Sequence, residues 1–144
     1  MKDQNYSNHM RLVPGFHFFV LPLAGFMLVW SAIKLYRHYS LGFGLGLPFL
    51  CLLASLLIIL TALYARSFAL KAQDRAIRAE ENLRHYAITG SLFDKRLKTA
   101  QIIALRFAPD AEFASLAKEA AEKDLSQKDI KKAIQNWKAD RDRV

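Results

Sequence analysis

The chain has 144 residues and a formal net charge of +8, and once its apolar half is set aside too little remains for a large enzyme core. Charge is segregated: 17 of the 21 Lys and Arg and 12 of the 13 Asp and Glu follow residue 65. The single cysteine, Cys51, excludes an internal disulfide and the paired-cysteine zinc and redox motifs.

Residues 1–11 read as a cytoplasmic N-terminal segment. Residues 12–33 then run for 22 positions, and 39–65 for 27, without Asp, Glu, Lys or Arg. A helix needs roughly 20 apolar residues to cross the hydrocarbon of a bilayer. The expected fold class is therefore an all-α membrane protein built on a two-helix transmembrane hairpin. Transmembrane helix 1 is placed at 12–35, a short extracytoplasmic loop at 36–41 and transmembrane helix 2 at 42–65. The first apolar run exceeds the roughly 7–15 residues of a signal-peptide core and meets no small-x-small cleavage site, so it is expected to remain in the mature protein. Lys2, Arg11, Arg66, Lys71, Arg75, Arg78 and Arg84 flank the spans on one side, against Lys34 and Arg37 in the loop. That balance predicts that both termini lie in the cytoplasm.

Pro22 lies well inside the first span, where a missing N–H and a ring clash predict a kink. Pro48 falls in the first turns of the second span, which tolerate it. Gly42 and Gly46 read either as a flexible entry to that helix or as a small-xxx-small pair. Trp30, Tyr36 and Tyr39 at one boundary and Tyr64 and Phe68 at the other suit an interfacial belt. Ser31, Ser55 and Thr61 are the few polar groups that a pore would have. His17, among Phe16, Phe18 and Phe19, is a candidate cofactor ligand for a haem or chlorophyll metal or a quinone, since an intramembrane ionisable group is a functional suspect. Its bland reading is a shallow side chain, roughly 9 Å below Arg11 on a 1.5 Å rise, bonding a partner helix. No His pair stands at metal-binding spacing and no nucleophile–base motif is present, so no catalytic residue is assigned and no enzyme is expected.

Residues 66–88 contain no Pro or Gly and predict a membrane-proximal amphipathic helix that continues the second span. Ala69, Ala72, Ala76, Ala79, Leu83 and Tyr86 recur at steps of three and four. That stripe is expected to pack on the helices that follow or to self-associate. Thr89-Gly90-Ser91 ends the helix, and 92–144 reads as a small cytoplasmic helical domain. Thr99 is expected to cap a helix through Phe107, Pro109 to stop it, a second helix to begin near Asp110, and Ser126 with Asp129 to cap a third. The expected core is Leu97, Ile103, Phe107, Phe113, Leu116, Leu125, Ile130, Ile134 and Trp137. Arg66, Lys71, Arg75 and Arg78, with Lys128, Lys131 and Lys132 of the last helix, are candidates for contact with anionic lipids or a partner. Nucleic acid is not an expected partner, because no helix-turn-helix signature or base-reading set stands out.

Four motifs together resemble an uncharacterised bacterial family of small two-span membrane proteins, a domain of unknown function. They are Asn8-His9-x-Arg11-x-Val13-Pro14, Phe68-Ala-Leu-Lys-x-Gln-Asp-Arg75-x-Ile-Arg78-x-Glu80-Glu81, Gln101-Ile-Ile-Ala-Leu-Arg106-Phe107 and Ile130-Lys-x-x-Ile134-x-x-Trp137. The resemblance implies a bacterial inner membrane and the same hairpin-plus-helices layout, and brings no activity, cofactor or catalytic residue. The functional expectation is a non-enzymatic accessory or scaffolding subunit that packs against a larger membrane complex or copies of itself. The competing expectations are a cofactor- or pigment-holding subunit of an electron-transfer or photosynthetic assembly, and a self-assembling small membrane protein.

Overall fold

The structure is a computed structural model that describes residues 12–139. The expected N-terminal segment, with Lys2, His9 and Arg11, lies outside the described residues, as do 140–144. Among the described residues every regular element is helical: α1 Gly15–Ser40, α2 Gly46–Thr89, α3 Thr99–Leu105, α4 Asp110–Glu122 and α5 Gln127–Ala133. The chain divides into two compact units, one of them Leu12–Ala69 and the other including Leu70–Val144. Helix α2 supplies residues to both.

In the first unit, α1 and α2 are long and apolar enough to cross a membrane, and only 11% of each apolar window is buried. A core helix of a water-soluble protein would be mostly covered. What burial exists follows one stripe on each helix. Leu21, Ala24, Leu28, Ser31, Leu35 and His38 line α1, and Pro48, Leu52, Ser55, Ile59, Ala62 and Arg66 line α2. The alternating steps of three and four are those of helices packed at a shallow angle. The deepest positions are small (Ala24, Ser31 and Ser55), which lets the backbones approach. Each serine returns its hydroxyl to its own helix, Ser31 to the Met27 carbonyl (2.7 Å) and Ser55 to the Leu52 carbonyl (2.8 Å). Neither of these two hydroxyls is left without an acceptor.

Two backbone devices shape this unit. The first six residues of α1, Gly15–Val20, form a π-helical segment, and the Leu21 N–H reaches the Phe16 carbonyl five residues back. This wide turn ends just before Pro22, so the proline's missing N–H falls where the backbone has already left the regular helical ladder. At the other end Gly42 takes φ +72°. The Phe43 N–H bonds the His38 carbonyl and the Gly42 N–H bonds the Tyr39 carbonyl. That is a Schellman C-cap, which a left-handed residue makes possible. The turn therefore falls at 41–45, later than the loop expected at 36–41, because α1 runs on to Ser40.

In the second unit α3, α4 and α5 close on a core of Leu97, Ile102, Leu105, Phe107, Phe113, Ala117, Ala120, Ile130 and Ile134, with Phe93, Leu125 and Trp137 against its edge. Ile102 takes the place expected for Ile103, which is half-buried. Ile102 stands three residues before Leu105 and shares its covered face, whereas Ile103 is turned about 100° away. Lys98, not Thr99, is the N-cap of α3, and its N–H bonds Gln101 Oε1 at 2.7 Å. Ser126 caps α5 as expected, accepting the Asp129 N–H.

The expected packing of the alanine stripe on these helices is overturned. Ala72, Ala76, Ala79, Leu83 and Tyr86 are exposed, and Gln73, Asp74, Ile77, Glu81, Asn82, Arg84 and His85 are the covered positions of α2. The physical reason is that Asn82, Arg84 and His85 meet the segments that follow through polar contacts, and these lie on a different face from the alanines.

Candidate functional site: a polar joint and its cavity

Arg84 is the centre of the joint. Its Nη1 donates to Glu81 Oε2 (3.0 Å), its Nη2 to the Ala108 carbonyl (2.8 Å) and its Nε to Asp110 Oδ1 (2.8 Å). The guanidinium plane lies 4.2 Å from the Phe113 ring centroid. A planar fork with several donors and a stacking face makes all four contacts at once, which a lysine cannot. The Arg84 hydrogen bond, then its charge, holds the Asp110 carboxyl below its usual value. Asp110 also opens α4, where a negative charge suits the helix dipole.

One turn away, Asn82 Oδ1 accepts the Phe93 N–H at 2.9 Å. The His85 imidazole lies 4.6 Å from the Phe93 ring and 6.1 Å from Phe113. Its Nδ1 stands 2.8 Å from the Ser91 carbonyl, and since a carbonyl only accepts, Nδ1 carries the proton there. Gly90, at φ +72°, ends α2 and turns the chain back so that Ser91 can meet His85.

This turn walls an open cavity of about 630 Å³. Its floor includes Phe93, Leu97, Ala117 and Ala121, and its rim His85, Asp94, Arg96, Lys118 and Glu122. The rim charges are largely matched. Arg96 Nη2 donates to Asp94 Oδ2 at 2.7 Å, and that hydrogen bond leads the causes holding the Asp94 carboxyl at about 2. Lys118 and Glu122 stand 4.0 Å apart.

Two further polar clasps complete the unit. Glu112 accepts the Gln135 N–H (3.0 Å), the Asn136 N–H (3.1 Å) and the Asn136 amide (2.9 Å), and these bonds, the Gln135 one foremost, lower its pKa. Gln101, 3% exposed, donates to the Leu125 carbonyl at 2.9 Å and to Asp124 at 3.1 Å. The Asp124 carboxyl, which also accepts Lys98 at 2.8 Å, is lowered chiefly by that lysine.

The residues singled out by sequence are dispersed. His17 sits in the π-helical segment with Nδ1 3.0 Å from the Val13 carbonyl and 3.1 Å from the Val13 nitrogen. The Val13 N–H donates to that Nδ1, so the nitrogen is engaged by the chain's own backbone. Among the described residues no group of three or more His, Cys, Asp and Glu is placed to hold a metal ion. Arg66 is half-buried, its guanidinium 5.4 Å from the Phe16 ring. Lys71, Arg75 and Arg78 are exposed on α2, and Lys128 and Lys132 on α5. Lys131 is half-buried, its ammonium 5.7 Å from the Phe107 ring. Sequence reading did not find Asn82, Gln101 or Glu112, nor the part Arg84 plays. Arg84 and Asp110 are 26 residues apart, and no local pattern links them.

The fold thus defines an all-helical protein with two long apolar helices and a small helical unit fastened by polar clasps. The chain belongs to a family of unknown function (DUF6526), whose model matches residues 1–144. No curated protein and no solved structure matches it.

Proposed function

We propose that this chain is a non-enzymatic accessory or scaffolding subunit of a bacterial inner-membrane protein complex. Its hairpin is the membrane anchor, and both termini lie on the cytoplasmic side. The observation that supports this reading is the stripe on α2 beyond the apolar window: Leu83 is 68% exposed and Tyr86 53%, in line with exposed Ala72, Ala76 and Ala79. A contiguous apolar face of this kind marks an interaction surface. Arg66, Lys71, Arg78, Lys128 and Lys132 would add attraction to anionic headgroups, at around 1 kcal/mol for each cation near the surface.

The test is the composition of the tagged chain extracted from its own membrane in mild detergent. The reading predicts a stoichiometric assembly larger than the chain and its detergent; a bare monomer contradicts it. A visible chromophore in the same peak, lost in His17→Ala, would replace it with the cofactor-holding reading.

A further inference from the structure

We infer that the exposed stripe on α2 is covered by the same stripe of a second copy, in a parallel two-stranded coiled coil over residues 72–86. The inference rests on the scaffolding reading and names the partner of that surface. Ala72, Ala76, Ala79, Leu83 and Tyr86 stand at steps of four, three, four and three, which are the d, a, d, a and d positions of successive heptads. All five are exposed. Of the residues of α2 that its own chain covers, Asp74, Ile77, Glu81 and Arg84 fall at f and b positions on the other side of the helix, while Gln73 (e) and Asn82 (g) edge the stripe. Arg84 and a second copy would therefore use different faces, with Asn82 at the border between them.

Charge selects the partner and its direction. In this register Arg75 is a g position and Glu80 the e position five residues on, the spacing at which side chains of parallel strands meet. Both are exposed, and among the described residues neither forms an ion pair within its own chain. A two-fold axis makes Arg75 of each copy face Glu80 of the other, giving two attractive pairs. An antiparallel pairing sets g against g and e against e, and so offers no opposite-charge pair from these positions. Parallel strands are also what two hairpins inserted with one topology present to each other. Alanines at the seam let the helices approach closely. The seam is about 22 Å long at 1.5 Å per residue, too short for a stable soluble coiled coil, so the shared bilayer must supply the effective concentration.

Oxidative cross-linking of the full chain in its native membrane tests this. In a Cys51→Ser background, Ala76→Cys and Ala79→Cys should form adducts of twice the chain mass, at least about tenfold more than Arg78→Cys at the outward c position. In the Ala79→Cys chain, Arg75→Glu or Glu80→Arg should each lower the yield several-fold, and the two together should restore it. Equal yields at 76, 78 and 79, no adduct at 76 and 79, or no restoration by the double exchange would overturn the inference. An adduct with a different chain would also overturn it while leaving the accessory reading intact. Specific dimers in an extract that holds no other protein would uphold it and narrow the scaffold to self-assembly.

Discussion

In the unit of the two apolar helices the covered residues are small or aliphatic apart from His38 and Arg66 at the stripe ends, and the buried serines return their hydroxyls to their own helices, Ser31 to Met27 and Ser55 to Leu52. In the C-terminal unit polar side chains cross between segments instead, Arg84 to Asp110, Gln101 to Leu125 and Glu112 to Asn136. The difference follows from the surroundings each unit is built for. On helices long and apolar enough to cross a membrane an unmet polar group would have no water to fall back on, and both serine hydroxyls are met within their own helices. A small water-facing core of short helices needs more than apolar burial to fix its segments. Charge-assisted and multidentate hydrogen bonds supply the register there.

The sharpest way to break this contrast is Phe113→Ala. The ring is fully buried and touches Arg84, His85 and Phe93, so its loss should cost about 3–5 kcal/mol. Hydrogen exchange should show the bundle amides losing protection while those of the hairpin keep theirs. The reverse experiment is Ala24→Leu, which overfills the seam of α1 (3% exposed) at a cost of about 1–3 kcal/mol. Thermal unfolding in detergent should fall for the hairpin alone. Arg84→Ala leaves the buried Ala108 carbonyl without its donor, a loss of about 1–3 kcal/mol. It should free the start of α4 from α2 without unfolding α4. Ser126→Ala removes the N-cap of α5 and should cost about 1 kcal/mol, seen as faster exchange confined to 127–133.

Acid should separate the two units by the smallest effect. Asp110, Glu112 and Asp124 have folded pKa values below their usual ones. The unfolded chain therefore binds more protons, and their stabilisation is whole above the usual carboxylate range near 4. It is lost as pH falls through the lower folded values. Residues 12–65 hold no Asp or Glu, so circular dichroism between pH 6 and 2 should show the bundle loosening while the helicity of the hairpin is unchanged.

Much of the architecture was legible in sequence, because long uncharged runs, capping residues and prolines act locally. Ser126, the Gly90 break and the start of α4 at Asp110 sit where the local rules put them, while α3 ends at Leu105, short of the expected Phe107, and Pro109 is the N-cap of α4. The errors came where a distant segment decided. Seen alone, the alanine stripe on α2 looks like the packing face. The actual packing face is chosen by Arg84 meeting Asp110, Asn82 meeting Phe93 and His85 meeting Ser91 after the chain has turned. Ile102 and not Ile103 enters the core because it shares a helix face with Leu105, a choice between adjacent isoleucines that a seven-residue helix leaves open. The π-helical answer to Pro22 could not be read from periodicity, since a proline signals a lost hydrogen bond but not how the backbone absorbs it. The polar joint and its cavity were not legible as a site, because their residues come from three segments with no shared motif.

The most direct test of the account is whether α1 and α2 lie in lipid. Membranes holding the full chain would be washed at alkaline pH, which strips peripheral proteins, and then treated with detergent. The account predicts that the chain stays with the washed membrane and is released only by detergent; recovery in the alkaline supernatant would contradict it.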